Sequence, residues 1–444
     1  MQASRWQDLP AAHQIHYDDS AALQTVLEEL RRLPPLVSRG EIDELREQVA
    51  AAQRGEAFIL QAGDCVERFS DCRAGRIADR LTILLQMSVI LTWAARTPVV
   101  RIGRMAGQYF KPRSTETEPG PDDGPQNVLT YRGDPVHGFN LAERSPDPRR
   151  LRDGYFHAAA TLNHIRAMIA GGFADLHHPD RWDLDAIHGT RQWADYRQIA
   201  ERIIEAITFM ESFGGADQAR LGDVSFYTSH EALHLPWEDA LTRDHGVEGT
   251  GGEQPVGAAA PLRLNQAAHT VWLGARTAEP DGAHVAYLAG IANPIGIKVG
   301  PGTGPRQLAA LLARLNPQRR PGRIMLITRL GAGRADELLP PLIRAVADSA
   351  QPVVWLVDPM HGNTFTATGG HKTRRFEDIL AELRESFAAH QAAGSSVGGV
   401  HVELTADNVT ECLGGAVDLS EADLNSNYQS WCDPRLNDAQ AMEI

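Results

Sequence analysis

Cysteine is scarce in this sequence of 444 residues: four stand at 65, 72, 412 and 432, with no CxxC spacing. A disulfide framework and a structural zinc knuckle are therefore not indicated, and the plain reading of each thiol is a small buried hydrophobe. Positive charge is also short, with 43 Lys and Arg against 57 Asp and Glu, a formal net charge of −14. Such a chain repels nucleic acid and anionic membrane, so neither is expected as a partner, and any anionic ligand must be held by a local basic cluster. The longest apolar runs, such as 352–357, fall far short of a bilayer span, and MQASRWQDL lacks the basic and apolar stretches of a secretory signal. The expected location is cytoplasmic. Low-complexity linkers and fixed-period repeats are missing too, which favours one long domain over two or three.

What is present is 43% hydrophobic residues, broken throughout by charge, enough to bury a sizeable core. Residues 1–55 read as an N-terminal helical extension (AALQTVLEEL, EIDELREQVAAAQRG) packing outside the main fold. From 56 to 444 a unit recurs: a short apolar or β-branched run, polar residues crowded at its C-terminal end, then in several cases a helical segment. The runs fall at 57–61, 99–102, 224–228, 270–273, 296–299, 324–328, 353–357 and 400–404. Parallel strands feeding active-site loops give this pattern, and eight of them predict an α/β (β/α)8 TIM barrel with its site at the C-terminal rim. An open doubly wound sheet satisfies the same pattern. The long interval at 114–223 reads as a rim loop followed by inserted helices (YFHAAATLNHIRAMIA, YRQIAERIIEAITFMESF), and 244–260 as a smaller Gly-rich insertion.

Four residues near predicted strand ends and the C-terminus are able to converge: Cys65 in QAGDC, His361 in DPMHGN, Glu403 in HVELT and Asp433 in CDPR. One soft and three harder donors suit divalent Mn, Co, Fe or Zn; the alternative is that His361 and Asp433 only cap or hydrogen-bond. Basic residues recur in the same positions: Arg101, Arg104, Lys111 and Arg113 in RIGRMAGQYFKPRS, then Lys298, Arg329, Lys372 and Arg374. Guanidinium forks and lysine point charges suit a small substrate with phosphate at one end and carboxylate at the other; solvated surface charge is the alternative. Two familiar motifs carry less. His230-Glu231-Ala232-Leu233-His234 matches HExxH, but it follows a strand-like run and Pro236 interrupts the helix a zinc peptidase needs. GPGTGPR at 300–306 lacks the GK[ST] of a nucleotide loop and reads equally as a turn.

QAGDCVERF, RIGRMAGQYFKPRS, YRGDPVHGF, HTVWLGARTAEPDGAHV, IANPIGIKVGP, LITRLG, DPMHGNT, HKTRRF, GGVHVELTADNVTECLGG and CDPRLN, in this order, strongly resemble the type II DAHP synthases of plants and actinobacteria. The similarity spans nearly the whole chain. It implies metal-dependent condensation of phosphoenolpyruvate with erythrose 4-phosphate to DAHP and phosphate, a step that leads to chorismate and aromatic compounds or to a linked secondary-metabolite pathway. It also implies metal ligands at Cys65, His361, Glu403 and Asp433, with Mn or Co foremost and Zn or Fe as alternatives. Phosphoenolpyruvate contacts are implied at Arg104, Arg276, Lys298 and Arg329, and sugar-phosphate contacts at Lys111, Arg113 and Ser114. Catalysis falls to Arg104, Lys298, Arg329 and His361, in a homo-oligomer. If Cys65 and Cys432 both face the metal, oxidation is expected to join them.

Three departures from the family pattern stand near the site. Ala275 replaces a usual Glu, GAGRAD follows Arg329 in place of a His-Lys loop, and Pro236-Trp237 replace a common Asp and Tyr. A different aldehyde phosphate, one bearing nitrogen among them, or a catalytically impaired regulatory homologue are the alternatives these changes leave open.

Overall fold

The computed structural model describes residues 5–120, 126–174, 225–246 and 262–444, with scattered positions between 194 and 205. Eight strands close into one barrel: β1 (Phe58–Gly63), β2 (Val99–Arg104), β3 (Phe226–Glu231), β4 (Thr270–Leu273), β5 (Ile295–Val299), β6 (Ile324–Thr328), β7 (Val353–Val357) and β8 (Val397–Glu403). Each pairs in parallel with its sequence neighbours, and β8 returns to β1. The closed order is that of a (β/α)8 barrel and removes the open-sheet alternative.

Burial on both faces explains the near-continuous apolar strands. Every residue of β6, Ile-Met-Leu-Ile-Thr, is buried. The helix that follows β5 carries Leu308, Leu311, Leu312 and Leu315, an i, i+3, i+4, i+7 stripe that packs onto the barrel wall. Several strand ends differ from expectation by one or two residues, and two differ by three. β8 begins at Val397, before the expected 400, although Gly398 and Gly399 weaken strand propensity. Close packing needs them there: a Cβ on Gly399 would lie 2.5 Å from the Ile59 carbonyl oxygen. β3 runs on through Ser229, His230 and Glu231, which read as loop because they are polar. All three are buried, and Ser229 Oγ donates to the Gly103 carbonyl at 3.1 Å.

The N-terminal helices are α1 (Ser20–Arg32) and α2 (Arg39–Gln53), the second opened by a Ser38/Glu41 capping box. Rather than lying outside the fold, α2 plugs the base of the barrel. Leu45, Val49 and Ala52 pack with Ile59, Val100, Met325 and Val354 from the strands. Gly322 has φ 73°, and a Cβ there would lie 2.0 Å from the Arg46 carbonyl oxygen, so this base contact requires glycine.

After β1 comes α3 (Ala74–Ala95); within the rim segment, residues Thr117–Pro119 pair antiparallel with Asn127–Leu129, and α4 (Arg149–Ala170) follows. The second helix expected in that insertion, around 196–213, and most of the Gly-rich insertion lie outside the described residues. Among the described residues α3 is the one helix long and apolar enough, by length and composition, to cross a membrane. Its Ile77, Leu81, Leu84 and Leu85 are packed into the core. Further α-helices among the described residues are α5 (Leu235–Ala240), α6 (Ala283–Ala289), α7 (Pro305–Leu315), α8 (Ala335–Ser349), α9 (Phe376–Ala392) and α10 (Asp438–Glu443).

Candidate active site

Strand register builds the floor of the site. Gly63, at the end of β1, pairs with Arg104 on one side and Glu403 on the other, so those two side chains stand level at the C-terminal rim. Glu403 is fully buried and surrounded by nitrogen groups: Arg104 Nη2 at 2.7 Å, Arg374 Nη2 at 2.8 Å, His361 Nε2 at 3.0 Å and Lys111 Nζ at 3.7 Å. Burial alone would raise its carboxyl, but His361, Lys111 and the two arginines hold it well below the usual carboxylate range.

His361 is oriented from behind. Its Nδ1 lies 2.7 and 3.0 Å from the two oxygens of Asp358, which also accepts the backbone N–H groups of Met360 and His361. Asp358 further pairs with Lys298, and burial of that lysine lowers its ammonium pKa to about 8. With Nδ1–H donated to Asp358, Nε2 turns its lone pair toward Glu403. A lone pair facing a carboxylate at 3.0 Å is repulsive unless a proton or metal cation lies between them.

Among the described residues His361, Glu403 and Asp433 form a group whose ligand atoms all lie within 4.8 Å of one another. The same carboxylates already hold a positive charge, since Lys111 Nζ is 2.7 Å from Asp433 Oδ2. One imidazole nitrogen and two carboxylates, oriented by Asp358, fit a divalent cation. Cys65 is not in this group. Its Sγ lies 3.5 Å from Ser430 Oγ, in a small cluster with Val66, Tyr131 and Cys432, and burial pushes the thiol up to about 12. A neutral thiol becomes a metal ligand only by losing its proton to the metal. Both Cys65 and Cys432 are free thiols, and Arg113 Nη1 donates to Cys432 Sγ at 3.2 Å.

A cavity of about 520 Å³ opens above this floor. Of the residues singled out from sequence, Arg104, Lys111, Arg113, Ser114, Arg276, Lys298, Arg329, Lys372, His361 and Asp433 all line it. Arg276 Nη2 donates to Ser114 Oγ at 3.0 Å, joining the loop after β4 to the KPRS segment. Arg329 Nη2 donates to the His361 carbonyl at 2.8 Å, while its buried Nε has no hydrogen-bond partner among the described residues. Arg104 is differently placed: its donors go to the Asp64 carbonyl, His401 and Glu403, and its plane lies 5.1 Å from the Trp272 ring centroid. Three of its five N–H donors are thus directed within the floor.

Two basic residues named from sequence are elsewhere. Arg101 bonds Ser88 Oγ at 2.7 Å, away from the cavity lining. Arg374 is buried beneath the floor, on Glu403 and the Pro434 carbonyl. HExxH is not a helical zinc motif: His230 and Glu231 are the last two residues of β3, with His230 bonded to Glu238 at 3.0 Å, while His234 precedes α5 and accepts the Trp237 N–H. GPGTGPR is a turn, with Thr303 N–H bonded to the Gly300 carbonyl at 3.0 Å, leading into α7.

Sequence reasoning missed Glu231, Gln108 and Asp358. Glu231 lines the cavity, and burial raises its carboxyl against the pull of Lys111 and Lys298. Its side chain fills the space beside Gly274, where a Cβ would lie 2.0 Å from Glu231 Oε1. Asp358 left a readable signal, a carboxylate three residues before His361 at a strand end.

A sequence model described as the Class-II DAHP synthetase family matches residues 1–444. The phospho-2-dehydro-3-deoxyheptonate aldolase of Streptomyces coelicolor is 45% identical over 441 residues, covering 99% of this chain and 94% of that protein. The protein of the same name from Neurospora crassa is 46% identical over 443 residues, covering 99% and 92%.

Proposed function

The chain belongs to the Class-II DAHP synthetase family, and we propose a division of labour among its cavity residues in condensing phosphoenolpyruvate with erythrose 4-phosphate. The observation that carries this reading is the meeting, in one cavity, of a His/Glu/Asp donor group with a wall of lysines and arginines in a chain of net charge −14. Two anionic substrates and one cation need that combination.

Arg276, Lys298 and Arg329 hold the carboxylate and phosphate of phosphoenolpyruvate, with Arg104 adding charge from below. Lys111, Arg113 and Ser114 take the phosphate of the aldehyde. His361, Glu403 and Asp433 hold a divalent metal, Mn or Co, with the Cys65 thiol alongside. When bound, that ion supplies Lewis-acid polarisation of the aldehyde oxygen. C3 of phosphoenolpyruvate attacks the aldehyde carbon while the basic residues fix both ends of the substrate pair. Water adds at C2, phosphate leaves, and Arg276, Lys298 and Arg329 neutralise the departing dianion. A homo-oligomer in the cytoplasm is part of the same reading, supported by the family resemblance.

A second reading, a nitrogen-bearing aldehyde phosphate, is favoured by one observation: Ala275 lines the cavity where relatives of this type usually carry Glu. Mass-resolved product formation from phosphoenolpyruvate and a panel of aldehyde phosphates, with and without Mn, separates the two. Erythrose 4-phosphate is expected to be the best substrate, and Ala275→Glu to raise its turnover. Preference for an aminated aldehyde, lost in Ala275→Glu, would establish the second reading.

A further inference from the structure

The loops after β6 and β7 touch backbone to backbone. A Cβ on Gly362 would lie 2.3 Å from the Gly331 nitrogen, and Gly331 itself has φ 91°. On the cavity side of this contact stand Arg329 and His361, linked through the Arg329 Nη2 to His361 carbonyl bond of 2.8 Å. Behind it stands a buried carboxylate from α9. Glu382 accepts the Leu330 N–H at 2.6 Å with one oxygen and Asn363 Nδ2 at 2.8 Å with the other. Asn363 Oδ1 in turn accepts the Ala332 N–H at 2.9 Å, and its amide also donates to the Pro359 carbonyl at 2.8 Å. One turn further along α9, Glu385 accepts the Gly333 N–H at 2.7 Å.

We propose that Glu382 and Asn363 are positioning residues that lock the Arg329 loop onto the His361 loop and so fix the Arg329 guanidinium over the phosphoenolpyruvate subsite. This rests on the assignment of Arg329 to phosphoenolpyruvate given above. Two features favour a placement role over mere packing. The loop held, GAGRAD, adds no cavity-lining side chain after Arg329, so what the clamp presents to the site is Arg329 itself. And a carboxylate stands here although burial raises it to about 7, against the pull of the Leu330 and Gly331 N–H groups. Only a group with two acceptors satisfies both a backbone N–H and an amide NH2; Gln would set its own NH2 against that of Asn363.

The His361 ring is oriented separately, by Asp358. The clamp therefore predicts a split. In Glu382→Gln and in Asn363→Ala, the Kd and KM for phosphoenolpyruvate rise about tenfold to a hundredfold, as misplacement of a binding group by an ångström or so would produce. Mn affinity, read by the electron paramagnetic resonance of free Mn without turnover, stays at the wild-type value, as does the KM for the aldehyde phosphate. Unchanged phosphoenolpyruvate constants in either folded variant overturn the proposal. Equal losses of Mn, phosphoenolpyruvate and aldehyde binding, or failure of both variants to fold, assign the pair to stability alone and overturn it as well. Calorimetric binding to the wild type keeps the two claims apart: no phosphoenolpyruvate binding there overturns the substrate assignment together with this inference, whereas wild-type binding matched by the variants overturns the inference alone.

Discussion

Lys298 carries its charge in a place that disfavours charge. Burial lowers its pKa from 10.5 to about 8 even though Asp358 pulls the other way. The protonated form is the one able to hold an anion, so kcat/KM for phosphoenolpyruvate is expected to fall as pH rises through about 8. Lys298→Arg keeps a cation at all these pH values and is expected to lose that alkaline limb; a limb that persists unchanged belongs to another group. Stability runs the opposite way. The unfolded lysine titrates near 10.5, so between about 8 and 10.5 the unfolded chain binds more protons and stability rises with pH. Arg113 lines the cavity beside Ser114, and losing a charge-assisted bond of roughly 1.5 to 3 kcal/mol in Arg113→Ala should raise KM for the aldehyde phosphate selectively. Equal losses for phosphoenolpyruvate would contradict the proposed division. The basic wall was legible because lysine and arginine at apolar strand ends, in an acidic chain, demand a reason. What the sequence hid was pairing: nothing in HKTRRF separates Arg374, buried on Glu403, from Lys372, which lines the cavity. Nor does polarity reveal that Cys65 packs in a cluster with Val66, Tyr131 and Cys432.

At the scale of elements, strands announced themselves and their ends did not. Apolar β-branched runs mark β5, β6 and β7, whose neighbours bury both faces. β3 was read short because Ser229, His230 and Glu231 are polar, yet the upper barrel interior is itself polar, with Gln61 Nε2 donating to Ser229 Oγ at 3.0 Å and His401 bonded to Gln61. The role of α2 was equally hidden. Its Leu45, Val49 and Ala52 spacing signals a helix with a buried face, but periodicity cannot say what that face covers. Because these residues seal the barrel base, Leu45→Ala should destabilise by about 2 to 5 kcal/mol, the range for deleting a fully buried leucine side chain. Denaturant unfolding checks this, and a change below about 1 kcal/mol would show that the base relaxes around the loss. Arg374→Ala acts at the other end of the barrel. It leaves a Glu403 oxygen buried without its partner, and breaking such a pair is expected to cost about 3 to 5 kcal/mol in the same measurement.

Across the whole molecule, charge is divided by sign and depth. The chain is acidic overall, yet its cavity gathers seven lysines and arginines over a floor of buried carboxylates. Those carboxylates are held ionised by the cations around them: Asp358 and Glu403 both lie well below the usual range despite burial. The negative floor is thus ready for a cation and the positive wall for two anions, and the central claim is that condensation requires both at once. The most direct test strips the protein of metal with a chelator and follows phosphate release and product mass from phosphoenolpyruvate and erythrose 4-phosphate as Mn is returned, in parallel with bound Mn. Activity is expected to vanish in the stripped protein and to return in proportion to bound Mn, with His361→Ala losing occupancy and turnover together. Full turnover in the metal-free protein, or an active His361→Ala that binds no Mn, would contradict the account.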